Sequence, residues 1–120
     1  MTPWDQWQEP LRKFGFRFQD SYSMIAQITG LDIEARRVRS NHGKHEWVDI
    51  RIPVANVNEL GFSLEKVISS LTGRRSTLCV LANHVCMSIR IPVESVSERQ
   101  IAWATEILIA DAKLVSNAQS

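Results

Sequence analysis

The fold is decided by the stretch VCMSIRIPV at residues 85–93. Apolar side chains stand at every second position of this stretch, and Cys86, Ser88 and Arg90 stand between them. Alternation with a period of two predicts a β-strand that buries one side and exposes the other to solvent. The strand therefore marks one face of a sheet as core and the other as surface.

A β-hairpin is predicted here because a second strand segment, residues 78–82, comes just before this one. A turn at residues 83–84 joins the two. With that turn, Leu81 lies opposite Cys86, and Cys79 lies two residues further along. Both thiols are then on the solvent-facing side in diagonal positions. Diagonal neighbours are poorly placed for a disulfide, which favours packing of small residues over a redox pair.

The segment IRIPV occurs twice, at residues 50–54 and 89–93, which are 39 residues apart. In each copy a strand ends through proline and leads into a helix, and a hairpin is predicted before it. Two strand–strand–helix units of similar design are one interpretation. A chance match is the other, because strand ends favour Ile, Val and Pro. In both interpretations Arg51 and Arg90 project from the solvent face near a strand end.

Three helices are predicted around these strands. Apolar residues at helical spacing indicate a first helix over residues 2–14, which Pro10 should kink or split. Ser63 caps a middle helix that stops before Gly73. Ser97 caps a long final helix, with Gln100 completing a capping box. Alternation predicts three other strands, at residues 16–19, 31–38 and 47–54. After a break, the first of these could continue to about residue 29.

The predicted order is helix, three strands, helix, two strands, helix, which is an α+β fold with an antiparallel sheet. The chain forms one domain over residues 1–120, with a polar tail from about residue 116. The alternative is a ferredoxin-like sandwich, because residues 45–93 are predicted as strand, helix, strand, strand and the segment 31–38 could complete that sheet.

This layout resembles the type III secretion chaperone-like superfamily, which includes the YbjN-like proteins, and also a small uncharacterised cyanobacterial family. The resemblance covers nearly the whole chain. It depends on the element order, on the exits RIPV at 51–54 and 90–93, and on the capped helix from Ser97. It implies a small, non-enzymatic, homodimeric binding protein that holds partner segments on a sheet face or beside the first helix. Secretion chaperones are usually acidic, with a regular first helix, and this chain departs in both respects.

Composition excludes several classes of protein. The apolar share is 44% and the charged share 22%, as in ordinary globular domains. The net charge of +1 gives no overall attraction to nucleic acid or to an anionic membrane. Apolar runs are far shorter than a membrane span. With only two cysteines and no signal peptide pattern at the start, a cytoplasmic protein is expected.

Two sets of surface residues are candidate sites. The first is a candidate protein interface of aromatic and small apolar residues, Trp4, Trp7, Trp47, Cys79, Leu81 and Cys86. Strand alternation turns Trp47 and the hairpin residues outward, whereas Trp4 and Trp7 lie on the apolar stripe of the first helix and some of the tryptophans must be core. For Trp47, coverage by the first helix is an equal alternative. The second is an anion contact formed by arginines around two turns, Arg36, Arg37, Arg39, Arg74 and Arg75. A solvated turn is the favoured interpretation of the arginines at 36–39, because acidic residues flank them. Arg74 and Arg75 suit the negative end of the middle helix, which needs no ligand, so nucleic acid is not the expected partner.

No catalytic or cofactor-binding pattern is present in the sequence. There is no P-loop, no Gly-rich dinucleotide fingerprint and no nucleophile elbow. His42, His45 and His84 lie in turns without the further ligands that a zinc site needs. The sequence therefore favours a protein-binding module without cofactor or metal, and a small regulatory or nucleic-acid-binding module that uses the Arg36–Arg39 turn is the alternative.

Overall fold

The computed structural model describes residues 7–40, 43 and 45–119. Three α-helices and six β-strands follow one another within them. They are α1 (Gln8–Phe14), β1 (Arg17–Asp20), β2 (Ser23–Ile28), β3 (Leu31–Arg39), β4 (Glu46–Asn56), α2 (Leu64–Ser70), β5 (Thr77–Leu81), β6 (His84–Pro92) and α3 (Glu98–Gln119), with a 3-10 turn at Val93–Ser95 between the last two.

The α+β class with an antiparallel sheet is confirmed. All six strands form one sheet in the order β1-β2-β3-β4-β6-β5, and every neighbouring pair is antiparallel. Strands β4 and β5 run in the same direction with β6 between them, which is the split β-α-β unit of the ferredoxin-like alternative. The sheet then continues through β3, β2 and β1 as a meander, so the ferredoxin-like sandwich is not the fold.

Residues 16–29 form two strands. The turn between β1 and β2 is closed by Asp20, whose carboxylate accepts a hydrogen bond from the backbone N–H of Tyr22 at 2.7 Å. This backbone bond is the main reason that the pKa of Asp20 is lowered. Asp and Ser favour such side-chain-closed turns, which explains the break at Asp20 and Ser21.

The helix ends follow the capping residues in the sequence. The hydroxyl oxygens of Ser63 and Ser97 accept hydrogen bonds from the backbone N–H groups of Lys66 and Gln100, at 3.3 Å and 3.2 Å. Gly15 ends α1 with a left-handed φ of 110°. Pro10 lies in the first turn of α1, where a missing N–H costs little. The part of the predicted first helix before Trp7 lies outside the described residues.

All three helices contribute to a single core on one face of the sheet. The long helix α3 contacts β4 and β6 and also packs against α1 and α2. Its residues Ile101, Ala104 and Leu108 are buried in the same cluster as the strand residues Ile50 and Met87. Because alternate strand residues point to opposite sides, every second residue of the central strands faces this helical layer. The other face of the sheet carries the remaining side chains.

The two IRIPV segments lie side by side at the centre of the sheet. Ile50 in β4 is paired directly with Ile89 in β6, so the equivalent residues of the two segments meet in the middle. Around that pair the order β3-β4-β6-β5 is symmetric, and each of the two hairpins is followed by a helix. This is the arrangement that two strand–strand–helix units produce when an approximate two-fold axis relates them. Strands β1 and β2 and helix α1 lie outside it.

Candidate binding face

We use the term open face for the side of the sheet opposite the helices. Within the part of the chain that the structure describes, α1, α2 and α3 all lie on the other side. The pairing register assigns the outward residues of each central strand to this face. Its principal members are Ile25, Glu34, Arg36, Trp47, Asp49, Arg51, Pro53, Cys79, Leu81, Cys86 and Arg90.

A buried carboxylate holds the centre of the open face. The side chain of Asp49 is only 4% exposed, and Arg90 donates to both of its oxygens, from Nε at 2.8 Å and from an Nη at 3.2 Å. Arg51 donates to the same carboxylate at 3.3 Å. These hydrogen bonds raise the pKa of Arg90, so its charge is fixed. The outward positions expected for Arg51 and Arg90 are correct, and both arginines share one acceptor.

An ion-pair network extends this centre across the sheet. The carboxylate of Glu34 lies 3.3 Å from Nε of Arg36 and 3.8 Å from an Nη of Arg51. The Arg51 side chain is 18% exposed, and its buried Nε has no hydrogen-bond partner among the described residues. Three arginines and two carboxylates therefore alternate over the middle of the face, which makes it polar but nearly neutral.

Trp47 borders this network on the open face. It is paired across the sheet with Val38 on one side and Pro92 on the other. The guanidinium of Arg90 lies over its ring, 4.9 Å from the centroid, in a cation–π contact. Trp47 is half-buried by these neighbours and by His45, whose ring centroid is 6.0 Å away. The outward orientation that alternation predicts is correct, and the cover comes from an arginine and not from α1.

A shallow groove of about 320 Å³ lies beside the network on the open face. Its apolar lining comes from Ile25, Pro53, Leu81 and Cys86. Its polar lining comes from Gln19, Asp32, Glu34, Arg51 and His84. Apolar side chains together with a few charged and polar groups are the usual composition of a binding groove.

The cysteines do not occupy the diagonal positions expected from the sequence. The hairpin loop is Ala82 and Asn83, one residue earlier than predicted, and Leu81 is paired with His84. Ala82 takes a left-handed φ of 54°, which the alanine side chain gives no reason to expect. Cys79 is consequently directly opposite Cys86. Both are free thiols, with Cys79 half-buried and Cys86 buried.

The remaining interface candidates, Leu81, Trp7 and Trp4, differ in where they lie. Leu81 is 42% exposed and lies on the groove. Trp7 is fully buried in the core, so its prediction as a surface contact is wrong. Its helical spacing from Leu11 reflects packing in the core that both residues share. Trp4 lies outside the described residues.

The arginines of the β3–β4 hairpin do not form one patch. Arg36 is on the open face, whereas Arg37 and Arg39 alternate onto the helical side. Both of these approach the carboxylate of Glu46, at 3.2 Å and 3.0 Å. Burial lowers the pKa of Arg37, and Glu46 opposes that effect. These pairs neutralise much of the charge on which an anion contact here would depend.

The other two arginines lie on the helical side. Arg74 donates from Nε to the carboxylate of Asp111 at 2.5 Å, and the Ser76 hydroxyl donates to the same carboxylate at 2.6 Å. Asp111 is completely buried. Arg75 lies 6.0 Å from the ring of Trp103. Arg74 therefore ties the loop before β5 to α3, and its guanidinium already has an anionic partner within the chain.

Sequence reasoning missed the two buried carboxylates, Asp49 and Asp111. A signal for Asp111 exists, because it stands at helical spacing between the apolar residues Leu108 and Val115. An acidic residue inside an apolar stripe needs a partner when it is buried. Asp49 carries no such signal, because outward positions of a strand are ordinarily polar.

The described residues contain no group of three or more His, Cys, Asp or Glu side chains that could hold a metal ion. Among the helices described, none is long and apolar enough to cross a membrane. No known protein-family model matches this sequence, and no curated protein matches it significantly.

Proposed function

We propose that this protein is a non-enzymatic protein-binding module, chaperone-like or adaptor-like, that holds its partner on the open face. The observation that carries the proposal is the one-sided sheet, with every described helix on one face and a groove on the other. The resemblance to the type III secretion chaperone-like superfamily supports the same function, because those proteins hold partner segments on a sheet face or in grooves.

The chemistry of the open face suits a protein segment. Ile25, Pro53 and Leu81 offer apolar contacts at the groove, and the nearby ion-pair network offers donors and acceptors. Trp47 and Arg90 are the residue types that most often dominate binding energy in protein interfaces. Because positive and negative groups alternate here, a polyanion such as nucleic acid gains little from this surface.

A homodimer is part of the proposal, and the edge strand β5 supports it. The sequence of β5, TLCVL, has no charged residue and no proline. Strand β1 at the opposite edge, RFQD, has a charge at each end and an irregular register. Natural proteins protect exposed edges with such charges and irregularities, and β5 lacks them. A second copy pairing along β5 would satisfy its free backbone groups.

The test is a pull-down with purified protein from the lysate of the source organism, with and without nuclease, comparing two matched variants. Leu81→Arg places a charge on the groove, and Leu114→Arg places the same charge on α3, where Leu114 is 39% exposed. We expect wild type and Leu114→Arg to retain the same nuclease-resistant protein, and Leu81→Arg to retain about tenfold less, which corresponds to ~1.4 kcal/mol.

Three results would contradict the proposal. They are equal retention by both variants, capture that disappears with nuclease, and no captured protein at near-stoichiometric yield. Circular dichroism of each variant verifies that the fold is intact. Light scattering on the same three samples measures the oligomeric state, and a monomer at all concentrations would remove the homodimer.

A further inference from the structure

The β5–β6 hairpin brings the only two cysteines of the chain together on the open face. Cys79 and Cys86 are cross-strand partners. Two further pairs, Val80 with Val85 and Leu81 with His84, separate the cysteines from the hairpin loop. Directly opposite residues in an antiparallel pair have Cα atoms about 4.5–5.5 Å apart. Disulfides span Cα separations of about 4.4–6.8 Å. The register therefore meets the first geometric requirement for a disulfide, which the diagonal placement would not.

The local surroundings decide which thiol reacts first. Burial, with a smaller effect of the neighbouring Cys79, raises the pKa of Cys86, so less of its reactive thiolate is present and the first attack falls to Cys79. Cys79 lies on β5, which in the described part of the chain is the edge strand next to β6. Cys79 is also the more exposed of the two.

We propose that Cys79 and Cys86 are a reversible oxidation site that forms an intramolecular disulfide by exchange with a low-molecular-weight disulfide such as oxidised glutathione. The Cys79 thiolate attacks one sulfur of glutathione disulfide, and one glutathione leaves with the proton that Cys79 gave up. The Cys86 thiolate then attacks Sγ of Cys79, and the second glutathione leaves with the proton from Cys86. Two protein thiols are oxidised, and one glutathione disulfide is reduced to two molecules of glutathione.

The geometry indicates a disulfide that is easily reduced once it has formed. Pairs alternate along a hairpin, and counting from the two-residue loop places Cys79 and Cys86 in a hydrogen-bonded pair, which is the wider type. Cβ atoms of opposite residues are about 4.5–5.5 Å apart, whereas a disulfide prefers about 3.5–4.5 Å. Closing that difference strains the hairpin, and strained disulfides are the easily reduced ones.

The experiment exposes the folded protein to glutathione buffers of increasing oxidised fraction and measures intact mass after acid quenching. We expect the mass of a single chain reduced by two hydrogen atoms, and we expect reduced glutathione to restore the original mass. Cys86→Ser removes the thiol that would displace glutathione from Cys79, so a glutathione adduct on Cys79 should accumulate. In Cys79→Ser the buried Cys86 should react much more slowly, and both variants are checked for folding by circular dichroism.

Wild-type protein in urea provides the reference for an unconstrained pair, and tryptic peptides locate the bond. The proposal is overturned if the folded wild type accumulates a stable glutathione adduct, forms only intermolecular disulfides on non-reducing gels, or forms no internal bond in buffers that produce it in the chain in urea. Should either serine variant unfold, the wild-type comparison of folded and urea-treated chains still decides the result.

Discussion

Arg74→Ala is expected to lower the free energy of unfolding by about 3–5 kcal/mol, because it leaves the buried carboxylate of Asp111 without its charged partner, although Arg74 itself is 41% exposed. Asp111 is completely buried on α3, and Arg74 and Ser76 are its two hydrogen-bond donors among the interactions described. After the substitution the carboxylate keeps only the Ser76 hydroxyl. The loop that leads from α2 into β5 also loses its tie to α3.

Arg75→Ala is the matched control for this prediction. It removes the same side chain one residue further on, where the contact is a cation–π interaction with Trp103 at 6.0 Å. We expect a loss below about 1 kcal/mol, because the contact is exposed. Urea unfolding followed by circular dichroism measures both. Adding Asp111→Leu to Arg74→Ala should restore most of the lost stability, since it removes the unpaired charge. Equal losses in the two single variants would show that the Arg74–Asp111 pair is unimportant.

Asp49→Asn is expected to lower the free energy of unfolding by about 2–4 kcal/mol. The asparagine keeps the shape of the side chain but removes the charge that Arg51 and Arg90 share. Arg51 is affected most because its side chain is 18% exposed, whereas Arg90 at 52% can regain water. The expected cost is smaller than that of Arg74→Ala because the arginines left behind retain some exposure, whereas Arg74→Ala leaves a carboxylate with no exposure.

Asp32→Asn is the control on the same face. Asp32 is exposed on the groove rim, so the same change of charge should cost less than about 0.5 kcal/mol. Chemical denaturation at low and at high salt measures both variants. The Asp49→Asn loss should persist at high salt, because a buried pair is screened less than an exposed one. A loss that disappears in salt would mean that the network around Asp49 is only a surface effect.

The sequence predicts the elements of this fold that depend on neighbouring residues better than those that depend on contacts between distant segments. The alternation in 85–93, the caps at Ser63 and Ser97 and the glycine after α1 are local signals, and each element they predict is present. The hairpin loop was misplaced by one residue because Ala82 adopts a left-handed conformation for which its side chain gives no signal. That single shift moved the two cysteines from diagonal to directly paired positions.

The candidate site shows the same division between local and long-range information. The outward positions of Trp47, Arg51 and Arg90 follow from strand alternation alone. Arg51 and Arg90 both reach Asp49 only because β4 pairs with β6. Helix α2 and strand β5 separate these two strands in the sequence, so local patterns do not predict that they pair. Trp7 was misassigned because a helical stripe does not tell which of its residues reaches the core.

Hydroxyl-radical footprinting of the purified complex tests most directly whether the open face binds the partner. Trp47 and Leu81 on the open face, and Trp103 and Leu114 on the helical side, provide two matched pairs of reactive side chains. We predict that the partner lowers oxidation of Trp47 and Leu81 and leaves Trp103 and Leu114 unchanged. Protection of Trp103 and Leu114 with none at Trp47 and Leu81 would place the partner on the helices and contradict the claim.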